Sequence, residues 1–374
     1  MSKKIRVLHV AEAAGGVERY LETLFKYSDK QTVENILVCS QNYDINKFNN
    51  IASKVIVVNM VHKIDPKQDL FSINRVRSLI KKYKPDIVYG HSSKAGAISR
   101  IANMGLHSKC IYNPHGWAFN MRQSKKKKQM YIMIEKMLAP LCQKIVCISD
   151  AEKESALRYK ICSAKKLQVI YNGIDFEEFD KEVSQKVNVS VPKNSFVIGM
   201  VGRLSEQKAP DVFVNAAKLI KEKIPNAYFL MVGDGDLRSD IELQIETLGL
   251  KDSFYITGWV DNPAAYMKLM DVGMLLSRWE GFGLVLPEYM LAGVPILATD
   301  VDAIPNIIQD GENGLLVEKD NYREASKQVI VLHDNSKIRN RIVKNAKQCV
   351  NDNFNGKRVA QESLNLFTSC KESR

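Results

Sequence analysis

The chain has 374 residues, more than one hydrophobic core usually supports, and its 45% of hydrophobic and 26% of charged residues are typical of a globular protein with two domains. No run of about 20 apolar residues is present and residues 1–10 do not form a signal peptide, so we expect neither a membrane span nor secretion but a cytoplasmic protein. The formal net charge of +12 predicts an anionic partner, and the seven scattered cysteines argue against a disulfide framework or a zinc site.

Short apolar runs alternate with helical patterns through the first half of the chain. The runs lie at residues 5–10, 36–39, 55–58, 87–89, 109–112, 145–148 and 167–171, and helix-length segments lie at 17–27 and 73–83. Strands this short and continuously apolar, separated by helices, are typical of a parallel sheet covered on both faces. The first half is therefore predicted to be a doubly wound α/β domain.

A second doubly wound domain is predicted after a polar, acidic segment at residues 177–194, which we interpret as the linker. Its strands lie at 196–201, 228–232, 254–257, 272–276, 295–298 and 314–317, and its helices at 209–223, 237–248 and 284–292. The predicted fold class is α/β with two Rossmann-like domains, 1–176 and 177–352, and a helix at 353–374 that could cross back to the first domain. Ligands of such sheets bind in a crevice at the carboxyl ends of the strands.

The strongest local motif runs from Glu280 to Glu288 with the sequence E-G-F-G-L-V-L-P-E, between a predicted strand and a predicted helix. Its glycines let the backbone approach a ligand closely, and the free amides of a helix start favour a phosphate. Carboxylates accept the hydroxyl hydrogens of sugar and ribose diols. The alternative interpretation is an ordinary βα turn with two incidental acids, and the spacing alone leaves both open.

These nine residues resemble the E-x7-E motif of the large retaining glycosyltransferase family 4, whose fold is GT-B and whose members include enzymes of bacterial surface-polysaccharide synthesis. Other segments resemble that family's motifs in the same order: G-G-V-E at 15–18, N-G-I-D at 172–175, V-G-R-L at 201–204 followed by Lys208, V-G-D-G at 232–235 and G-W-V at 258–260. The resemblance spans nearly the entire chain. It implies two Rossmann-like domains that face each other across a deep cleft.

The resemblance also implies the roles of individual residues toward a nucleotide-sugar donor. Arg203 and Lys208 would bind the diphosphate, Glu288 the ribose, and Glu280 the hydroxyls of the transferred sugar. Fixed cations stabilise the transition state because breaking the anomeric C–O bond pushes negative charge onto the departing nucleotide. No cofactor and no metal is therefore expected in the chemical step. The remaining predicted donor-binding residues are Gly16, Gly281, Phe282, Gly283 and Leu284.

Three residues of the first domain are candidates for the acceptor side. The segment N-P-H-G-W at 113–117 follows a predicted strand and resembles the family's histidine-bearing loop, which makes His115 an active-site candidate of undefined role. His91 also follows a strand, and it either contacts the acceptor or caps the next helix. Gly15 either lines the acceptor side or forms a tight structural turn.

The function that the resemblance implies is transfer of a hexosyl sugar, with retention of anomeric configuration, from a nucleotide diphosphate sugar to a saccharide or lipid-linked saccharide. UDP is the default nucleotide, and cell-surface polysaccharide biosynthesis is the expected setting. No carboxylate nucleophile can be assigned, so a front-face mechanism is favoured, in which the leaving phosphate helps to deprotonate the incoming hydroxyl. A GT-B nucleotide-sugar epimerase is an alternative, whereas nucleic-acid binding is supported only by net charge and is not expected.

Two charged segments leave further alternatives open. Asp234 and Asp236 satisfy the D-x-D pattern by which another glycosyltransferase fold binds a metal, although we interpret them as part of a loop. Lys125–Lys128 and the apolar residues after them resemble a basic amphipathic helix suited to peripheral contact with the anionic inner face of the plasma membrane. The same pattern fits a solvated helix that packs on its own domain.

Overall fold

The computed structural model describes residues 4–372 and divides into two compact units. Unit 1 joins the residues up to Gly173 with those from Gly356 onward, and unit 2 runs from Ile174 to Asn355. The boundaries expected after residues 176 and 352 lie close to these. The segment interpreted as a linker, 177–194, belongs to unit 2 and begins within a helix, Phe176–Val183, because Asp175 caps the first turn and Phe179 is buried.

Unit 1 alternates strands and helices along the chain. The elements are β1 Ile5–Ala11, α1 Gly16–Tyr27, β2 Val33–Cys39, α2 Ile45–Ile51, β3 Lys54–Val57, α3 Pro66–Tyr83, β4 Ile87–His91, α4 Ser93–Ala102, β5 Lys109–Asn113, α5 Lys125–Leu138, β6 Lys144–Cys147, α6 Asp150–Arg158 and β7 Leu167–Val169. The strands form one parallel sheet in the order β3-β2-β1-β4-β5-β6-β7.

Unit 2 repeats this architecture with a six-stranded parallel sheet in the order β10-β9-β8-β11-β12-β13. Its elements are α7 Phe176–Val183, β8 Phe196–Val201, α8 Pro210–Lys223, β9 Ala227–Val232, α9 Arg238–Thr247, β10 Phe254–Ile256, α10 Ala264–Met267, β11 Val272–Leu275, α11 Val285–Ala292, β12 Ile296–Thr299, β13 Leu315–Val317, α12 Tyr322–Asp334 and α13 Ser336–Asn353. In each sheet the strand order reverses beside the first strand of the unit, the switch point at which ligands of open α/β sheets bind.

The C-terminal helix α14, Gly356–Glu372, belongs to unit 1. It contributes Val359, Leu366 and Phe367 to the buried cluster that also contains Leu24 and Phe25 of α1. Apolar residues three and four positions apart form one face of a helix, so both helices bury such a face against the sheet. Among residues 4–372, no helix is both long enough and apolar enough to cross a membrane.

Candidate active site

In unit 2, the loops after β8 and β9 meet at the carboxyl edge of the sheet. The Gly202 amide donates to the Val232 carbonyl oxygen at 3.0 Å, and the Leu204 amide donates to the Asp234 carbonyl oxygen at 2.8 Å. A Cβ atom on Gly233 would lie 2.1 Å from the Gly202 carbonyl oxygen. Glycine at 233 therefore allows the two backbones to touch, and this contact fixes where the loop that carries Arg203 and Lys208 leaves the sheet.

Lys208 and Glu280 form an ion pair that joins the loop after β8 to the turn after β11. The lysine side chain is 17% exposed and the glutamate side chain 9%, so the charges lie close to the surface without being fully solvated. The Ser277 hydroxyl donates to the same carboxylate at 3.1 Å, and the Glu280 amide donates to the Asp302 carboxylate at 3.0 Å. Both carboxylate and ammonium are thus held in place before any ligand arrives.

A second set of contacts joins the same two loops. The Arg278 amide donates to the Gln207 carbonyl oxygen at 2.8 Å, and the Gln207 side-chain amide donates to the Trp279 carbonyl oxygen at 3.0 Å. The Arg278 guanidinium donates to both oxygens of Asp211 at 3.1 and 2.6 Å, and also to Asp320 at 2.6 Å. Bidentate pairs of this kind restrict geometry as well as adding energy.

The turn from Glu280 into α11 takes the shape that its glycines permit. Gly283 has φ +82°, a left-handed conformation that disfavours any residue with a side chain, and Leu284 precedes the first turn of α11. Phe282 is 3% exposed and its ring packs on Phe354 at 5.8 Å between centroids, so only its backbone is available to a ligand. Glu288 lies in the first turn of α11 and is 3% exposed.

Arg203 is the exposed cation of this region. It follows Gly202 immediately beyond β8, and its guanidinium makes no ion pair with any other residue in the described range 4–372. Cations and helix-start amides beside a strand end suit a phosphate. The structure thus gathers the loops of Arg203, Lys208 and Glu280 with the turn at Gly281 on one edge of one sheet.

The two carboxylates of the D-x-D pair have different surroundings. Asp234 accepts a hydrogen bond from the Gly235 amide at 2.8 Å, and its other oxygen lies 3.8 Å from Arg238, whereas Asp236 is exposed. Across residues 4–372 there is no group of three or more His, Cys, Asp and Glu side chains placed to hold a metal ion.

In unit 1, His115 lies just beyond β5 and is half-buried, with φ +50°. Its amide donates to the Asn113 side-chain oxygen at 2.9 Å, and the Tyr20 ring meets the imidazole edge-on at 4.7 Å between centroids. Nearby, the Ser92 hydroxyl is buried without a hydrogen-bond partner in the described part of the chain. The Ser92 amide donates to the Asn113 carbonyl oxygen at 2.9 Å, so polar groups after β4 and β5 lie together at the carboxyl edge of this sheet.

His91 differs from our expectation that it contacts the acceptor or caps a helix. It is 0% exposed, and its two ring nitrogens lie 3.1 Å from His9 and 3.0 Å from His115, so it reaches a ligand only through His115. Burial of this ring, together with the neighbouring His115 and His9, lowers the pKa of His91 well below its usual value. Because Ser92, not His91, precedes α4, the capping interpretation also fails.

The glycine loop after β1 has a backbone conformation that fits both a ligand-lining loop and a tight structural turn. Gly15 has φ +74°, and α1 begins at Gly16. Both glycines are exposed, and the Arg19 amide donates to the Gly15 carbonyl oxygen at 2.9 Å. The loop is a tight turn at a helix start, and both glycines face solvent. Contact of Gly15 or Gly16 with a ligand stays a prediction.

Sequence reasoning missed the residues that hold the candidate groups in place. Ser277, Asp302 and Gln207 contact the Glu280 segment, and His9 lies behind His91. Only His9 left a signal, since it is the one polar residue among residues 7–11 of β1. The others lie in loops, where no periodicity marks a buried contact.

Comparison with known proteins agrees with this fold. The model described as "Glycosyltransferase Family 4" matches residues 14–178, and the model "Glycosyl transferases group 1" matches residues 181–349. A Klebsiella pneumoniae protein, an uncharacterized 41.2 kDa protein in the cps region, is 32% identical over 88% of this chain and 89% of its own length. An Escherichia coli UDP-Gal:alpha-D-GlcNAc-diphosphoundecaprenol alpha-1,3-galactosyltransferase is 29% identical over 94% of both chains.

Among solved structures, Anabaena Alr3699/HepE in complex with UDP superposes with a TM-score of 0.82 at 19% identity, covering 97% of this chain and 100% of that one. Two Rossmann-like units with parallel sheets, matched over their length by such structures, define a glycosyltransferase of the GT-B class. The chain belongs to glycosyltransferase family 4, within which it resembles enzymes of bacterial surface-polysaccharide synthesis. The predicted fold class and family are thereby confirmed.

Proposed function

We propose that the enzyme transfers a hexosyl residue from a UDP-sugar to a saccharide carried on a lipid diphosphate, with retention of anomeric configuration, during synthesis of a bacterial surface polysaccharide. The Escherichia coli relative, similar over 94% of both chains, is named for a UDP-galactose donor and a diphosphoundecaprenol-linked acceptor. The same chemistry suits a protein whose formal net charge is +12, since donor and acceptor are both anionic.

The observation that carries this proposal is the preorganised pair of Lys208 and Glu280 beside the exposed Arg203. Lys208 and Arg203 supply positive charge for the diphosphate, together with the amides of the turn from Gly281 to Leu284. The Glu280 carboxylate has a further oxygen with which to accept hydrogen bonds from sugar hydroxyls. Glu288, in the first turn of α11, is assigned to the ribose.

The proposed chemical step is a front-face displacement. The bond between the anomeric carbon and the β-phosphate oxygen breaks, and the acceptor oxygen bonds to the same face of that carbon. The proton of the acceptor hydroxyl passes to the leaving phosphate, which carries the electron pair of the broken bond. Arg203 and Lys208 stabilise this phosphate more strongly as its charge grows, so their effect falls on the transition state. We assign no metal to this step, and His115 lies on the acceptor side.

A transfer assay tests the proposal directly. The enzyme is incubated with UDP-galactose, UDP-glucose or their N-acetylated forms and with a synthetic GlcNAc-diphospholipid, and the products are analysed by NMR. We expect UDP release that depends on the acceptor and an α-linked product from at least one α-configured donor. A β-linked product would contradict retention, and conversion of the donor sugar without acceptor would instead identify an epimerase.

We further propose that α5 contacts an anionic membrane surface. A buried ion pair between Arg100 and Glu135 at 2.9 Å, joined by a hydrogen bond of 2.8 Å from Tyr112 to Glu135, fixes which face of α5 turns inward. The solvent-exposed part of α5 carries lysines at 125–127 and the residues Met133 and Met137. Exposed cations followed by exposed apolar side chains suit a lipid headgroup region.

Replacing Lys125, Lys126 and Lys127 by glutamine should weaken sedimentation with phosphatidylglycerol vesicles by about 100-fold, because each lysine near an anionic surface contributes about 1 kcal/mol. Lys128 is left in place because its ammonium lies over the Tyr159 ring at 4.9 Å. A matched triple variant at the exposed Lys81, Lys82 and Lys84 removes the same charge and should sediment like the wild type. Equal sedimentation of both triple variants would contradict the proposal that α5 contacts the membrane.

A further inference from the structure

Four polar side chains form a continuous hydrogen-bonded row through the buried interior of unit 1. Nε2 of His9 lies 3.1 Å from Oδ1 of Asn35, Nδ1 of His9 lies 3.1 Å from Nε2 of His91, and Nδ1 of His91 lies 3.0 Å from Nε2 of His115. Asn35 lies on β2, His9 on β1, His91 on β4, and His115 follows β5. These strands are adjacent in the sheet, so the row runs across it.

Strand register explains why the side chains of Asn35, His9 and His91 share one face. Val7 of β1 pairs with Asn35, and Ala11 pairs with His91, so His9 lies two positions from the partner of each. His91 pairs with Asn113, two positions before His115. Side chains two residues apart on a strand point to the same face, so the pairing of β2, β1 and β4 brings Asn35, His9 and His91 together. The loop after β5, in which His115 has φ +50°, adds the last step of the row.

The row has a direction because the Asn35 atom that meets His9 is the amide oxygen, which can only accept. The Oδ1 atom of Asn35 carries no hydrogen, so Nε2 of His9 must donate to it. A neutral imidazole has a single N–H, which leaves Nδ1 of His9 to accept from Nε2 of His91. By the same step, Nδ1 of His91 accepts from Nε2 of His115, and Nδ1 of His115 is left with a free lone pair.

The surroundings keep the inner rings neutral, as this reasoning requires. His9 and His91 are both 0% exposed, and the His9 ring meets Phe25 at 4.7 Å and Phe367 at 6.4 Å between centroids. Burial lowers the pKa of His9 to about 3 and that of His115 to about 3. A second proton on His9 or His91 would place two N–H groups against each other.

We propose that Asn35, His9 and His91 act as positioning residues that hold His115 in the Nε2–H tautomer, so that its Nδ1 atom accepts a hydrogen bond from a substrate hydroxyl. Within the described residues 4–372, the Nδ1 atom of His115 has no hydrogen-bond partner. In the opposite tautomer this atom would donate instead of accepting. The contact between His115 and a substrate hydroxyl rests on the proposed function, whereas the donor-to-acceptor direction of the hydrogen bonds in the row does not.

The direction can be read from long-range proton–nitrogen NMR spectra of the full chain labelled with ¹⁵N-histidine. Single His9→Gln, His91→Gln and His115→Gln variants assign the signals. We expect all three rings to be neutral at pH 7.5, each protonated at Nε2 and bare at Nδ1. A proton on Nδ1 of His91 or His115, or a charged ring at His9, would overturn the proposal.

Asn35→Leu tests the link from the inner end of the row to His115. Without the amide oxygen, the tautomer of His115 is no longer fixed, so a mixture of the two forms should appear and kcat should fall by about tenfold, the worth of one hydrogen bond. UDP affinity should not change, since the assigned diphosphate groups lie in unit 2. An unchanged His115 tautomer in Asn35→Leu would show that the row is structural only.

Tyr20→Phe is the matched control. Its ring keeps the edge contact with His115, and the lost hydroxyl interacts with Tyr89, Ser363 and Asn113 and with no ring of the row, so the tautomers should stay as in the wild type. The NMR result also separates this proposal from the proposed function. If NMR finds the three Nε2–H tautomers but the protein transfers no sugar, the proposed row stands and only the transferase assignment is contradicted.

Discussion

Replacing Lys208 by methionine should lower kcat by about 10²- to 10³-fold, the loss seen when one preorganised donor to a developing anion is removed. Methionine keeps the length of the side chain but removes the charge that we assign to the leaving diphosphate. It also leaves Glu280, 9% exposed, without its cation, which should lower the stability of unit 2 by about 1–3 kcal/mol. Steady-state transfer rates and urea denaturation measure the two effects separately.

The double variant Lys208→Met/Glu280→Gln separates chemistry from stability. Glutamine removes the unpaired charge and can still accept the hydrogen bond from Ser277, so most of the stability should return. Activity should stay as low as in the single variant. Lys218→Met, which breaks only a surface pair with Glu222 at 3.4 Å, should change neither quantity. Recovery of transfer together with stability would mean that Lys208 has a structural role only.

Replacing Arg203 by alanine should abolish most transfer while leaving the fold untouched. Arg203 is exposed and forms no ion pair within residues 4–372, so we expect a change of less than about 0.5 kcal/mol in unfolding free energy. Its charge-assisted contacts to the diphosphate are worth more as charge develops on the leaving group, and kcat/KM should fall by about 100-fold or more.

Arg75→Ala provides the comparison for Arg203→Ala. Arg75 is also an exposed arginine, on α3 of unit 1, and its removal changes net charge by the same amount. Transfer by Arg75→Ala should match the wild type. A similar loss in both variants would mean that transfer depends on overall charge, and wild-type turnover by Arg203→Ala would remove Arg203 from the site.

The sequence predicted the two sheets well because most of their strands are short, apolar and buried, with the edge strands β3 and β10 partly exposed. Each predicted strand overlaps an observed one, and residues 196–201 coincide with β8. The linker prediction was less accurate. We interpreted the acidic residues around Glu177 as an irregular polar segment, whereas they begin a helix capped by Asp175. A single buried residue, Phe179, is too weak a pattern to reveal that helix.

For the candidate site, the sequence predicted which groups follow the carboxyl ends of the strands, but not the residues that hold them in place. The turn at 280–284 and the loop at 203–208 were visible because glycines and charges follow apolar strands. The contact between Lys208 and Glu280 joins residues 72 positions apart, and nothing local in the sequence encodes it. The burial of His91 was missed for a related reason, since only strand register places it between His9 and His115.

Calorimetric titration of UDP in the presence of EDTA tests the central claim, that the cations and amides of unit 2 bind the nucleotide diphosphate without a metal. The wild type should bind UDP equally well with and without EDTA. Arg203→Ala should bind it about 10- to 100-fold more weakly, the worth of a charged hydrogen bond. Binding that requires a divalent cation, or that is unchanged in Arg203→Ala and Lys208→Met, would contradict the account.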